Sequence, residues 1–541
     1  MDELSIENHS PISMDELSFG SLCLVAMATL ALALALMVVM GAHRRGGEKG
    51  ATTGAKNLPP GPWNLPVIGS LHHLFFASPP HRALLRLSRR HGPLMLVRLS
   101  EVPTVIVSGS DAAMEVLKAR DPAFADRARS TTVDAVSFGG KGIIFAPYGE
   151  HWRQARRVCV AELLSARQVR RLESIRQEEV SRLVDSIIAG SSNAAAAVDM
   201  TRALAALTND VIARAVFGGK CARQEEYLRE LGVLTALVAG FSMVDLFPSS
   251  RVVRWLSRRT ERRLRRSHAH MARIVGSIIE ERKEKKASDA GVGAKDEDDD
   301  LLGVLLRLQE EDGLTSPLTA EVIGALVIDI FGAATDTTAS TLEWVMVELM
   351  RNPRAMEKAQ QEVRNTLGHE KGKLIGTDIS ELHYLRMVIK ETLRLHPASA
   401  LILRQSRGNC RVMGYDIPQA TPVLINTFAV ARDPKYWDNA EEFKPERFKN
   451  SGADIRTSIA HLGFIPFGAG CRQCPGALFA TTTLELTLAN LLYHFDWALP
   501  DGVSPESLDM SEVMGITLHR RSSLHLHATL SRSGFFSHSG R

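Results

Sequence analysis

One stretch limits what this chain can become. From Thr319 to Arg351, between Ser316-Pro317 and Asn352-Pro353, runs the longest uninterrupted helical pattern of the sequence. At about 1.5 Å per residue such a helix is roughly 50 Å long, enough to cross an entire domain. The rest of the domain has to be built around it. Its middle breaks the apolar pattern, because AATDTT, Ala333 to Thr338, puts small and hydroxyl residues and one acid where core is expected. Asp336 and Thr337 cost free energy there unless something polar meets them. Alternatively this face looks at solvent, or bonds back to the preceding turn.

From Pro80 to about Arg282 the chain repeats helical spacing, as in HRALLRLSRRHG and EEVSRLVDSIIAG, whereas Leu94 to Gly109 (LMLVRLSEVPTVIVSG) alternates like a strand hairpin. Lys283 to Asp300, with KEKK and KDEDDD, has no apolar face and reads as a surface loop. The fold class is therefore mainly α with a minor β part. At 541 residues, 45% hydrophobic and 23% charged, the chain can bury a large core. A net charge of +4 is too small for a nucleic-acid binder of this size. The arginines cluster, however: Arg251 to Arg273 forms either a solvated helix face or a surface for anionic lipid. Six irregularly spaced cysteines do not form a disulfide framework.

Leu22 to Ala42 carries no charge over 21 residues, a length that spans the roughly 30 Å of a bilayer core. Acids precede it and Arg44, Arg45, Lys49 and Lys56 follow. That is the wrong charge order for a cleaved signal peptide. The positive-inside rule then keeps the body on the cytosolic side. MDELS occurs at Met1 and again at Met14, and either methionine can start the chain. The expected organisation is a short N-terminus (1–21), a transmembrane anchor (22–42), a basic and Pro-rich hinge (43–62) and one catalytic body (63–541). LPPGP, Leu58 to Pro62, favours extended backbone that fixes the body's attitude to the membrane.

Glu391 and Arg394 lie at i, i+3 on one helix face and can pair, a weak signal by itself. Arg404, strand-like pieces within HPASALIL, GYDIP and TPVLINTF, KPERF and then FGAGCRQCPG follow in order. The two cysteines of that last segment have four readings. A zinc site needs a second ligand pair, and the sequence has no second CxxC. A redox CxxC belongs at a helix start in a β/α alternation, which is missing. They can be inert core residues. Or one is a thiolate on a tight Gly-rich turn, with Cys474-Pro475 opening a helix whose amides favour it and Arg472 adding a cation. A thiolate so presented suits an axial heme ligand.

Phe467, Gly470, Arg472, Cys474 and Gly476 form Phe-x-x-Gly-x-Arg-x-Cys-x-Gly, which resembles the heme signature of the cytochrome P450 family. The resemblance runs from Leu58 to about Leu530 and selects Cys474 over Cys471. It implies the P450 fold, a helical prism around buried heme b, with an N-terminal transmembrane helix. Trp152 and Arg156 (WRQAR) and Arg404 match positions that reach the heme propionates. Glu391, Arg394 and Arg447 match the buried Glu-Arg-Arg triad, and Ala333 to Thr338 resembles the oxygen-activation groove. Three departures stand out: Ala334 for the usual glycine, Cys471 for a basic residue, and Leu403 for a proline.

The implied activity is a monooxygenase inserting one oxygen atom of O2 into a C–H or C=C bond, with Asp336 and Thr337 organising proton delivery. No flavin or dinucleotide fingerprint is present. Electrons are therefore expected from an NADPH-cytochrome reductase in the same endoplasmic-reticulum membrane. Several motifs resemble plant enzymes of specialised metabolism, grass terpenoid-oxidising members in particular. Candidate pocket residues are Phe138, Phe241, Phe331, Ala334, Ala400, Leu401 and Ile516, mostly apolar, and equally suited to ordinary core. The expected substrate is a sesquiterpene or diterpene. Indolic or phenylpropanoid oxidation is the alternative, and a heme-binding membrane protein without turnover is the reading from another class.

Overall fold

The computed structural model describes residues 57–75, 79–191, 197–219, 223–238, 242–289, 300–311, 313–368, 379, 381–449 and 463–531. The expected anchor, the N-terminus before it, the hinge up to residue 56 and Phe241 lie outside them. Thr319 caps the central helix: its hydroxyl oxygen accepts from the Val322 amide at 3.3 Å, and the helix runs Ala320–Arg351. It stops at Asn352 because Pro353 cannot donate the next backbone hydrogen bond. Most of its residues are buried. Helices Met200–Phe217, Arg251–Asp289, His383–Leu395 and Ala477–His494 pack around it. A helix apolar enough to cross a membrane is here the axis of a core.

Beside this helical body lies a four-stranded sheet. Leu94–Leu99 and Val102–Val107 form the expected antiparallel hairpin, with Leu94 opposite Val107. Val102–Val107 then pairs in parallel with Pro422–Asn426, placing Val105 opposite Val423. Leu401–Gln405 closes the order antiparallel, Leu401 opposite Asn426. A small antiparallel pair, Glu512–Met514 with Leu518–Arg520, lies against the central helix.

One local expectation changes. Lys283 to Asp289 continues the helix Arg251–Asp289. Lys and Glu are good helix formers, and Lys283 pairs with Glu280 at i, i+3, so the absence of an apolar face does not break the helix. The Pro-rich segment is docked on the sheet edge. Leu96 donates its amide to the Pro60 carbonyl at 2.8 Å, and Asp416 donates to Asn57 at 2.7 Å. A side chain at Gly61 would collide with the Leu96 carbonyl, so that glycine is required by close backbone approach.

Candidate functional site

The cysteine loop sits just before helix Ala477–His494, which Gly476 caps. Cys474 and Pro475 lead directly into the helix, Cys474 two residues ahead of the cap. Its amide donates to the Phe467 carbonyl at 2.9 Å, and Gly468 donates to Ile465 at 3.0 Å. Gly468 and Gly470 have φ of +69° and +76°, backbone that favours glycine. A Cβ on Gly470 would also strike Asp121 and the Leu117 carbonyl. The Cys474 side chain is exposed. Burial raises its thiol pKa, while a hydrogen bond with the Gly476 backbone and the Arg156 charge lower it. Cys471 points elsewhere: its amide donates to Asp121 at 2.6 Å, its Sγ lies 3.4 Å from the same carboxylate, and its thiol is pushed up to about 11, chiefly by burial.

Around this loop gather four guanidiniums. Arg472 is buried and donates to the carbonyls of Ala125 (2.8 Å), Ile143 (3.2 Å) and Ala146 (2.5 Å). It braces the loop, and the charge acting on the Cys474 thiol is that of Arg156 instead of the expected Arg472. Trp152 lies under the Arg472 guanidinium at 4.4 Å and donates its indole N–H to Ile143 at 3.0 Å. Arg404 is buried and donates to the Ala469 carbonyl at 3.2 Å, with its Nε and Nη1 left without a partner among the described residues. Arg127 donates to the carbonyls of Ile144, at 2.9 Å, and Leu403. Burial and the charges of Arg404 and Arg472 hold its pKa well down, and burial brings those two to about 10. Burial also lowers half-buried Arg156.

The sequence does not single out Arg127, because nothing local marks it. Asp329 was missed for the same reason. From the central helix its carboxylate accepts from the amides of Ile143 (2.7 Å) and Ile144 (3.0 Å), whose carbonyls serve Trp152, Arg472 and Arg127. Burial pushes Asp329 up to about 6.

The structure brings Glu391, Arg394 and Arg447 together. Arg394 makes two hydrogen bonds to the Glu391 carboxylate, at 2.7 and 2.9 Å, and Arg447 a third at 2.9 Å. The first two side chains have no exposure. The remaining guanidinium donors bind the carbonyls of Ala431, Ala440, Asp438, Asn439 and Glu442. These charges lock the segment that leads into the cysteine loop.

In the middle of the buried helix, Ala333 is exposed and Ala334, Asp336 and Thr337 are half-exposed. Thr337 does bond back, donating to the Ala333 carbonyl at 2.6 Å. Asp336 does not pair with Thr337; its carboxylate meets His519 Nε2 at 3.0 Å. His519 carries no sequence signal, since it is distant in the chain.

The comparisons decide the family. The family model described as Cytochrome P450 matches residues 59–526. The chain belongs to the cytochrome P450 family. Zealexin A1 synthase of Zea mays is 46% identical over 485 residues, covering 88% of this chain and 94% of that protein. Dolabradiene monooxygenase of Zea mays is 46% identical over 476 residues, covering 87% and 92%. A zebra fish cytochrome P450 solved with progesterone superimposes with a TM-score of 0.71 at 25% identity, over 84% of this chain and 100% of that one.

This P450 is a monooxygenase whose cofactor is heme with cysteine thiolate ligation. The residues present fit the group. Buried guanidiniums that depress one another call for anionic partners, and Arg404 has two buried donors with none. The two propionates of heme b are anions of the right kind. Of the pocket candidates, Phe138 and Leu401 are half-buried, as is Ala334, and Ile516 is exposed at the turn of the small hairpin. Phe138 packs on His268, ring centroids 4.1 Å apart. Phe331 is buried against Tyr227 at 4.7 Å, and Ala400 is buried with Phe428 and Leu518. In this P450 those two serve as packing.

Proposed function

We propose that this P450 hydroxylates or epoxidises a small hydrophobic plant terpenoid, with Cys474 as the thiolate ligand of heme b. The observation that carries the reading is the Cys474 side chain: accessible on a glycine-shaped turn, bonded to the Gly476 backbone and ringed by buried guanidiniums. Bound heme supplies activation of O2 and transfer of one oxygen atom to the substrate. Arg404, Arg156, Arg127 and Arg472 balance its propionates, and Trp152 orients Arg472. The loop residues Phe467, Gly470 and Gly476 shape the turn. Asp336 and Thr337 hold and pass protons at the exposed stretch in the middle of the central helix. Phe138, Ala334, Leu401 and Ile516 offer an apolar wall, which suits a hydrocarbon skeleton. The names of the maize relatives, zealexin A1 synthase and dolabradiene monooxygenase, support a sesquiterpene or diterpene.

Electrons come from an NADPH-cytochrome reductase in the endoplasmic-reticulum membrane, where residues 22–42 anchor the chain with its body cytosolic. A set of exposed apolar side chains supports lipid contact by the body: Trp63, Val67, Met243, Val252, Trp255 and Leu256. Their neighbours Ile68 and Val253 join one cluster with Leu246 and Phe247, so the two segments share one side.

The deciding measurement is the reduced, carbon-monoxide-bound difference spectrum of wild type, Cys474→Ala and Cys471→Ala. A thiolate-type Soret band in wild type and Cys471→Ala, absent from Cys474→Ala, is the expected result. A folded wild type without heme overturns the reading. NADPH-dependent oxidation of terpene, indolic and phenylpropanoid panels with added reductase then separates the substrate classes, and no product from any panel favours the protein without turnover.

A further inference from the structure

The central helix meets one strand through three polar side chains in sequence. Asp336, Ser340 and Glu343 lie at i, i+4 and i+7, hence on one stripe. They meet three consecutive residues of Leu518–Arg520. Ser340 Oγ donates to the Leu518 carbonyl at 2.8 Å, Arg520 Nη1 donates to Glu343 at 3.3 Å, and His519 Nε2 lies 3.0 Å from Asp336 Oδ2. The strand is also held from its other side, since Leu518 donates to the Ala398 carbonyl at 2.9 Å and Arg520 to that of Asp509 at 2.9 Å. His519 thus sits between two fixed neighbours.

The rungs differ in one respect. Ser340, Glu343 and Arg520 are buried, whereas the Asp336 and His519 side chains are 41% and 35% exposed. This half-exposed ion pair lies beside exposed Ala333, in the middle of an otherwise buried helix. An imidazole held there can exchange protons with water on one side and contact the groove acid on the other.

We propose that His519 is the positioning residue for Asp336 and holds the proton that Asp336 receives: the Nε2–H bond breaks as an Oδ2–H bond forms, and the neutral imidazole regains a proton from solvent. The inference rests on the proton-delivery role given to Asp336 above. Among the described residues, few charged groups act on the pair. From the central helix His519 faces Asp336 and, farther off, Glu343, which Arg520 and Thr201 engage. From the paired strand Glu512 lies opposite Arg520 and is taken by His81 and Arg82. The hydrogen bond to Asp336 raises His519 above its ordinary value against burial. Burial alone would raise Asp336; its bonds to His519 and Thr517 outweigh that and hold it low. The imidazolium therefore persists to higher pH than that of a free histidine and is lost as pH rises through its raised pKa. Proton supply to Asp336 falls in the same direction.

The test has two readouts on the full-length holoenzyme. In the reduced, carbon-monoxide-bound form, which is diamagnetic, 15N-histidine spectra titrate His519, assigned by its loss in His519→Gln. Its pKa should lie above the ordinary value of about 6.5 and fall toward it in Asp336→Asn. With reductase, NADPH and O2 but no organic substrate, hydrogen peroxide released per NADPH should rise with pH through that pKa in wild type. In His519→Gln, which keeps a hydrogen-bond donor but does not titrate, the ratio should be high and flat over the same window. The carbon monoxide band confirms heme in every variant.

An ordinary His519 pKa, unmoved in Asp336→Asn, overturns the proposal. So does a wild-type pH profile in His519→Gln while Asp336→Asn shifts the peroxide ratio. If Asp336→Asn leaves that ratio unchanged, the proton-delivery role of Asp336 fails first and the proposal falls with it.

Discussion

Glu391 accepts from Arg394, Arg447 and the Lys444 amide at once, so removing one cation leaves a buried charge undercompensated. Arg447→Ala should lower stability by about 3–5 kcal/mol, read as the shift in the urea midpoint of the holoenzyme. Arg447→Lys should recover only part, because one ammonium cannot reach the carbonyls of Asp438, Asn439 and Glu442 as well as Glu391. Gly470 is held by a positive φ and by its closeness to Asp121 and Leu117. Gly470→Ala should therefore cut heme incorporation several-fold, measured as heme per protein, whereas Cys471→Ala should leave it near wild type. The spacing of Glu391 and Arg394 is legible in the sequence because a helix imposes it. Arg127 is not, because its partners Ile144 and Leu403 belong to distant segments.

At the scale of elements, the loop before helix Glu150–Val158 is held from two sides. Asp329 accepts its amides from the central helix, and Arg472, Trp152 and Arg127 donate to its carbonyls. Gly142 allows this, since a Cβ there would strike the Asp329 carboxylate. The folded pKa of Asp329, about 6 and raised by burial, exceeds its ordinary value. The folded state thus binds this proton more tightly than the unfolded one. Its contribution to stability is complete below about pH 4 and is lost as pH rises through about 6. The denaturation midpoint of wild type should fall relative to that of Asp329→Asn as pH rises from 4 to 7, and parallel curves would show the carboxyl is not titrating there. Helical and strand periodicity marked the central helix and the first hairpin. The extension of helix Arg251–Asp289 through KEKK was hidden, because helix propagation needs no apolar face once a long helix is already packed.

For the whole molecule, exposed Val252, Trp255 and Leu256 alternate with the arginines that begin helix Arg251–Asp289, and the segment of Trp63 and Val67 shares a hydrophobic cluster with this helix start. Apolar side chains flanked by cations suit the boundary of an anionic bilayer. In full-length protein reconstituted into nanodiscs, amides of 63–67 and 251–256 should exchange more slowly than in detergent, and Trp255→Glu should abolish the difference for its own segment. Equal exchange in both settings would remove this face from the membrane. By itself the sequence determined the helical class, the length of the central helix and the identity of the turn that presents Cys474. Those depend on local spacing, on glycine and on residue type. Only the tertiary structure decided that Arg127 joins the cations around the loop, that Asp329 clamps its neighbour and that Asp336 meets His519. Each of those contacts joins segments far apart in the chain, and a side chain's partner across such a distance is set by packing, not by its own neighbours in sequence.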